Sequence, residues 1–471
     1  MKRNNPLHFL FLLAMVLFFK TNPLIGQNTL SIGNTFELIN RFHPISKQAG
    51  LKIDLSKASL LSARGAFDPA FYTTNDQKTF DGKNYFFYSN SELKIPTWYG
   101  IEIKGGVENN YGDKLSGENT FGKSSYMGVS IPLLKDVLID KRRSDLAQSK
   151  ILVNLNQEER QLVVNDLYLD GASSYWSWAY AYQKQKLFTD VLSKTKDRLS
   201  FINKSYAAGD RAAIDTVEGV LQYQNILNLQ TQAGAELIEE QSKLSNFLWN
   251  EKEQPYELLE SVQPDTNWID ADIDEISIAS LISIIEEANA THPKLKLLGY
   301  KTDMLEIEKK YKAQNLLPTL RVNYNFLNKG YEFNAPFNSA LYNNNYKAGL
   351  QFGLPLFLRQ ARGDLKQAKI KVEQQNLETN QTRLEIENKI KTYYAALNAF
   401  KNQYKINTKS VENAKRLLDV EMERFEIGES SLFLVNTREI KYIEVLLKSY
   451  ELKTKFFKTY IALNWAKGSI L

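Results

Sequence analysis

Cysteine occurs nowhere in the 471 residues. Disulfides, thiolate metal sites, cysteine nucleophiles and a lipid-modified N-terminal cysteine are thereby excluded. Histidine is almost as scarce: His8, His43 and His292 are the only three, too scattered for a zinc site. Excess charge of one sign is missing as well. The net charge is +5, from 59 basic and 54 acidic residues, and no basic cluster interleaves with aromatics, so nucleic acid is not an expected partner. Long apolar runs are absent except at the start. There, MKRNNPLHFLFLLAMVLFFKTNPLIGQ carries basic Lys2 and Arg3, an apolar run from Leu7 to Phe19 too short to span a bilayer, and small Gly26 as a cleavage position. Residues 1–26 read as a secretory signal peptide. Nothing later reaches the ~20 apolar residues of a membrane helix. If this exported chain enters a membrane, it does so as strands. The Gly-rich GVENNYGDKLSGENT lacks the lysine and Ser/Thr spacing of a phosphate-binding loop, and no acid pair is tied to a nucleophile. No catalytic residue, cofactor or metal is expected.

What is present is a doubled pattern. Pro44 aligns with Pro293 and Pro69 with Pro318, both at an offset of 249. VSIPLL then matches FGLPLF, with Pro132 on Pro355, and RRSDLAQSKI matches ARGDLKQAKI, with Asp145 on Asp364. Tyr175 falls on Tyr394 and Gly209 on Gly428 at the offset of 219 set by the aspartates. The chain therefore divides into repeat one over 27–250, a Pro- and acid-rich linker or equatorial segment over 251–277, expected as an exposed crossover, and repeat two over 278–471. Each repeat reads helix, strand pair, long helical hairpin. Repeat one carries 26 extra residues between its two prolines, which either extend its first strand or form a separate excursion containing Tyr85 to Tyr88.

The strands are two-faced. Leu320, Val322, Tyr324 and Phe326 alternate with Thr319, Arg321, Asn323 and Asn325. Tyr346, Ala348, Leu350 and Phe352 alternate with Lys347, Gly349 and Gln351. The helical stretches are nearly free of breakers: neither Asp364–Ile427 nor Glu429–Lys467 contains glycine or proline. The 64 residues from Asp145 to Gly209, at ~1.5 Å each, extend for roughly 95 Å. Isolated helices of that length need partners, so antiparallel coiled-coil packing is expected. Gly209 and Gly428 mark the reversals.

Two strands per repeat give four per chain. Four strands can neither close a barrel nor hide their edges in hydrocarbon, so several chains must contribute. The apolar face then meets lipid and the polar face a water-filled lumen, with Arg321, Asn323, Asn325, Lys347 and Gln351 lining it. The competing reading is a soluble periplasmic helical scaffold, whose strands bury their apolar face in a small sheet.

The ordered set of motifs resembles the TolC-like outer membrane factors, the outer membrane efflux proteins of Gram-negative bacteria. The resemblance rests on the doubled architecture, the strand–Pro–Leu turns at Ile131–Leu134 and Leu354–Phe357, the Asp-Leu-x-Gln-(Ser/Ala)-Lys helix starts, and the tip sequences SYAAGDRAAIDTVEG and RFEIGESSLFLVNTRE. It implies a mainly α fold with β: a homotrimer whose chains each give four strands to one outer-membrane β-barrel, continued by a long α-helical barrel through the periplasm. It implies a passive exit duct of a tripartite efflux pump or type I secretion system, partnered by a periplasmic adaptor, an inner-membrane transporter and outer-membrane lipid. It further implies that Gly209, Asp210, Gly428 and Glu429 form adaptor-contact tips, and that Asp215 and Phe425 line a periplasmic constriction. Where family members often carry a gate-locking arginine this chain has Ser430, and where they often carry acids it has Leu434 and Thr437; Arg211 on the other tip is the candidate substitute. Asp215 also suits a plain helix N-terminus. The aromatic cluster around Tyr175, Trp176 and Trp178 is expected to pack helices, with substrate stacking as the alternative. The His43-Pro44 and His292-Pro293 pairs are expected to start helices.

Overall fold

The structure is a computed structural model and describes residues 29–258, 261–331 and 344–470. The proposed signal peptide lies outside the described residues. Among the described residues no helix is long and apolar enough to cross a membrane, and no cluster of potential metal ligands occurs.

In chain order the elements are β1 (Thr29–Leu30), α1 (Ile32–Phe42), α2 (Pro44–Gly65), β2 (Ala70–Phe80), β3 (Lys83–Pro96), β4 (Glu102–Tyr111), β5 (Gly122–Pro132), α3 (Lys141–Ala207), α4 (Ala213–Ser245), β6 (Gln263–Pro264), α5 (Asn267–Asp270), α6 (Leu281–Thr291), α7 (Pro293–Gln314), β7 (Thr319–Lys329), β8 (Tyr346–Gly353), α8 (Arg359–Glu426) and α9 (Leu432–Lys467). Sequence with no proline and a single glycine in each stretch, Gly171 and Gly363, has its expected result: α3 is one helix of 67 residues and α8 one of 68, each about 100 Å long at ~1.5 Å per residue. Both His-Pro pairs start helices. In the second, the His292 ring nitrogen Nδ1 accepts from the Lys294 amide at 3.0 Å, and proline takes the first helical position. Burial, with Lys389 and Lys294 nearby, pushes His292 down to about 4, so it stays neutral in this cap.

Two compact units emerge, and each draws on both sequence repeats. The first takes residues up to Pro44 with Leu167–Ile278 and Ala395–Ala462. Its core is helical: Phe188 and Val191 of α3, Ile226 and Ala233 of α4 and Ile443 of α9 form one cluster. Tyr175, Trp178 and Phe456 are fully buried. Trp176 stacks on Phe457 with ring centroids 4.5 Å apart and meets Trp268 edge-on. The aromatic-rich stretch is thus helix packing. The segment after repeat one, expected to be exposed, is docked instead. β6 pairs in parallel with β1, Trp268 and Ile273 are buried, Lys453 donates to the Ile269 carbonyl at 2.6 Å, and Asp274 bridges Lys401 and Lys405. Its charged composition concealed these two apolar anchors.

The second unit takes Ile45–Asp166, Ala279–Tyr394 and the chain from Leu463. It holds a six-stranded antiparallel sheet in the order β2-β3-β4-β5-β7-β8. This corrects the expected strand count of four per chain. The 26-residue excess of repeat one forms an additional hairpin. The turn between β2 and β3 is Asp81-Gly82, with φ of 53° and 70°, the pair that a tight two-residue hairpin favours. Tyr85 to Tyr88 lie in β3.

Candidate channel lining and helical tips

Cross-strand register decides which side chains share a face of the sheet. Arg321 stands opposite Gln351, Asn323 opposite Gly349 and Asn325 opposite Lys347. All five residues expected on the polar face therefore lie on it together. One row across the sheet reads Ala70, Lys94, Lys104, Gly128, Asn325, Lys347. The next row towards the helices reads Pro96, Glu102, Ser130, Asn323, Gly349. The other face is apolar at the same height: Ile95, Ile103, Val129, Tyr324 and Ala348 form a row, followed by Phe71, Leu93, Gly105, Met127, Phe326 and Tyr346.

In the central strands the polar face is the shielded one. Tyr126 is 7% exposed while its neighbour Met127 is 45% exposed. Ser124, Ser130 and Asn110, on the Tyr126 side, are buried as well. The Tyr126 ring lies across Gly106, where a Cβ would come within 2.7 Å of it. Its hydroxyl donates to Glu92 at 2.8 Å. Near the helix end of the sheet, Glu102 meets Arg142 at 3.3 Å and Arg321 at 3.8 Å, and Arg321 donates to Ser130 at 3.4 Å. Sequence reading missed Glu92, Glu102, Tyr126 and Arg142. The alternation of β3, β4 and β5 put the first three on the polar face; the signal in Arg142, next to a helix start, was indistinguishable from a solvated base. Meanwhile Leu350, Phe352 and Phe71 are 70%, 61% and 69% exposed on the apolar face. Polar groups within and hydrocarbon without is the reverse of a water-soluble sheet.

The tips belong to the first unit. Gly209 and Gly428 have φ of 83° and 81°, the left-handed conformation that ends a helix. The amides of Asp210 and Glu429 close matching loops onto the Ser205 and Arg424 carbonyls, at 2.9 and 2.8 Å. All four expected contact residues are exposed, and so are Ile214, Val217, Ile427 and Phe433 around them. Arg211 and Phe425 are brought together: the guanidinium sits 4.0 Å from the ring centroid, and Nη2 donates to the Phe425 carbonyl at 2.9 Å. Cation–π attraction and capping of a C-terminal carbonyl act on the same arginine. Phe425 itself is buried against Ile202, Leu418, Leu432 and Val435. Asp215 stands apart from that pair, in the first turn of α4, with no ion pair among the described residues. Ser430 donates to Glu421, which also faces Arg438. Beside them runs a network invisible to sequence reading. Arg198 of α3 bonds to Glu439 and Asn436 of α9, and Asn436 donates to Glu218 of α4 at 3.0 Å. Its bonded partners lie 218 to 241 residues apart, at ordinary helix-surface spacings.

Residues 285–439 match the family model described as outer membrane efflux protein. No curated protein sequence matches significantly. Among solved structures, the CmeC outer membrane channel of Campylobacter jejuni is similar with 14% identity and a TM-score of 0.61, over 93% of this chain and 85% of that one. The outer membrane protein VceC of Vibrio cholerae is similar with 12% identity and a TM-score of 0.62, over 93% and 96%. The MtrE outer membrane channel of Neisseria gonorrhoeae, in its open state, is similar with 12% identity and a TM-score of 0.64, over 93% and 89%. At such identities the likeness is one of fold. Together with the family model matched over residues 285–439, it shows that this chain has the fold of these outer membrane channels.

Proposed function

We propose that the protein is a passive outer-membrane channel, the exit duct of a tripartite efflux pump or type I secretion system. The observation that carries this reading is the inverted sheet: Leu350 and Phe352 exposed on the apolar face, and the Tyr126–Glu92 and Arg321–Glu102 contacts on the polar one. Such a sheet is stable where hydrocarbon bathes the first face and water the second. The edges β2 and β8 must also be paired, which requires other copies, and a homotrimer is the state we assign. Substrates diffuse through. The chain supplies a polar wall and a gate, without bond-making chemistry, while a periplasmic adaptor and an inner-membrane transporter supply energy and selection.

The test is behaviour on extraction. Expressed with its leader in a Gram-negative host, the protein should fractionate with outer membranes, need detergent to stay in solution, and run as a trimer that collapses to a monomer on heating. A water-soluble monomer in the periplasmic fraction would favour the scaffold reading instead.

The gate assignment belongs to the same proposal. Arg211 tethers the first tip to Phe425 of the second, and Asp215 contributes an acidic ring when three copies meet, which attracts cations into a narrow path. The exposed tip residues Gly209, Asp210, Gly428 and Glu429 form the adaptor contact. Arg211→Ala removes both tethers, and the expected result is a higher resting conductance in planar bilayers with assembly unchanged. Wild-type conductance in that variant would remove Arg211 from the gate.

A further inference from the structure

The ring closes through the hairpin that the family pattern lacks. We infer that β8 of one copy pairs with β2 of the next, so that each chain contributes six strands and a trimer forms an 18-stranded barrel rather than a twelve-stranded one. The inference rests on the trimeric-channel reading above and deepens it by naming the closing strands and the size of the pore.

Four observations carry it. First, β2 and β8 each have a single ladder partner in the sheet, and their residues are almost all exposed. Second, the six strands alternate in direction, so β8 and the neighbour's β2 run antiparallel, as an even-stranded barrel demands. Third, each edge continues into a helix with uncovered apolar residues in the same compact unit. Leu51, Leu55 and Leu61 lie exposed on α2, which leads into β2. Ile370, Leu377 and Leu384 lie exposed at heptad spacing on α8, which follows β8. One flank of the chain can therefore cover the other flank of the next copy, a head-to-tail contact that closes by rotation. Fourth, the stagger fits. Ala70, where β2 begins, shares a row with Lys347, while β8 ends at Gly353. The difference, 353 − 347 = 6 residues over six strands, is about one residue per strand. With ~3.4 Å rise and ~4.8 Å spacing, that tilts the strands by roughly 35°, inside the 35–45° range of membrane barrels.

Aligning the strand ends gives the register. Gly353 faces Ala70 of the neighbour, Gln351 faces Tyr72, Leu350 faces Thr73, and Lys347 faces Asp76. Opposite charges then meet on the polar face, where a direct cross-strand pair is favourable. A ring of this size leaves an aqueous channel of porin width, since barrel diameter grows with strand number. The outer face of β2 is less apolar than that of β8, with Thr73, Asn75 and Gln77 following Phe71. The rival closure to exclude is thus β8 on β4, with the β2–β3 hairpin displaced.

The cysteine-free chain makes the test direct. Double variants Leu350→Cys/Thr73→Cys and Gln351→Cys/Tyr72→Cys sample both kinds of antiparallel pair, whose Cα spacings of about 4.5 and about 5.5 Å both fall in the range a disulfide spans. Leu350→Cys/Gly105→Cys and Gln351→Cys/Lys104→Cys report the rival closure. Outer membranes are oxidised, or treated with a short bismaleimide that also spans a neighbouring register, and run on non-reducing denaturing gels. Covalent dimers and trimers from the β2 pairs and none from the β4 pairs are expected. Crosslinks from the β4 pairs alone, or from neither set in a protein that is trimeric before denaturation, overturn the closure. A soluble monomer would instead overturn the channel reading on which it rests.

Discussion

Leu350→Arg is expected to abolish the trimer in outer membranes, while Gly349→Arg, one residue away, leaves its amount near wild type. Leu350 stands on the apolar face of β8, opposite Val322, and is 70% exposed. In water, arginine at so exposed a position would cost little. Against lipid, an arginine or lysine near the bilayer midplane of a barrel costs about 2–4 kcal/mol, and a trimer bears it three times. Gly349 lies on the polar face, opposite Asn323, with open space where its Cβ would be. An arginine there reaches water in the lumen. The measurement is the unheated trimer band in fractionated membranes. Equal trimer from both variants would mean that the exposed apolar face does not meet lipid.

Trp178→Ala is the substitution expected to cost most in stability, about 3–5 kcal/mol in the helical unit. Trp178 is 0% exposed and lies edge-on to Tyr175, with ring centroids 5.8 Å apart. Tyr175 in turn donates to the Leu30 carbonyl at 3.0 Å, tying the β1 end of the chain to α3. Removing the indole leaves a cavity among buried neighbours, whereas Tyr175→Phe loses only that hydrogen bond, worth about 1 kcal/mol. Helical ellipticity against temperature in detergent should show a large fall in midpoint for Trp178→Ala and a small one for Tyr175→Phe. A Trp178→Ala midpoint close to wild type would return the cluster to the substrate-stacking alternative.

Much of this molecule was legible in its residues because the relevant forces are local. Strict alternation in LRVNYNF and YKAGLQF assigned Arg321, Asn325, Lys347 and Gln351 to one face, and the ladder register places them there. Absence of glycine and proline over the 64 positions Asp364–Ile427 specified a helix of that length, and Gly209 and Gly428 sit where left-handed backbone ends the long helices. The extra hairpin had its own local mark in Asp81-Gly82, overlooked because the doubled pattern suggested two strands and the excess had no counterpart in repeat two.

Other features have no local mark. Arg211 and Phe425 lie 214 residues apart and Arg198 and Glu439 lie 241 apart. Each is an ordinary charged or apolar side chain on a helical turn until a second hairpin packs beside it. Trp268 looked like part of a polar crossover until burial against Trp176 made it an anchor. The sequence by itself thus determined the doubled element order, the two-faced strands and the reversal points, since periodicity, turn preference and backbone sterics act within a few residues. Only the tertiary structure decided the number of strands that share the sheet, the edges left to be covered, and the arginine that joins the two tips. Those depend on contacts between residues far apart in the chain, which no short-range pattern encodes.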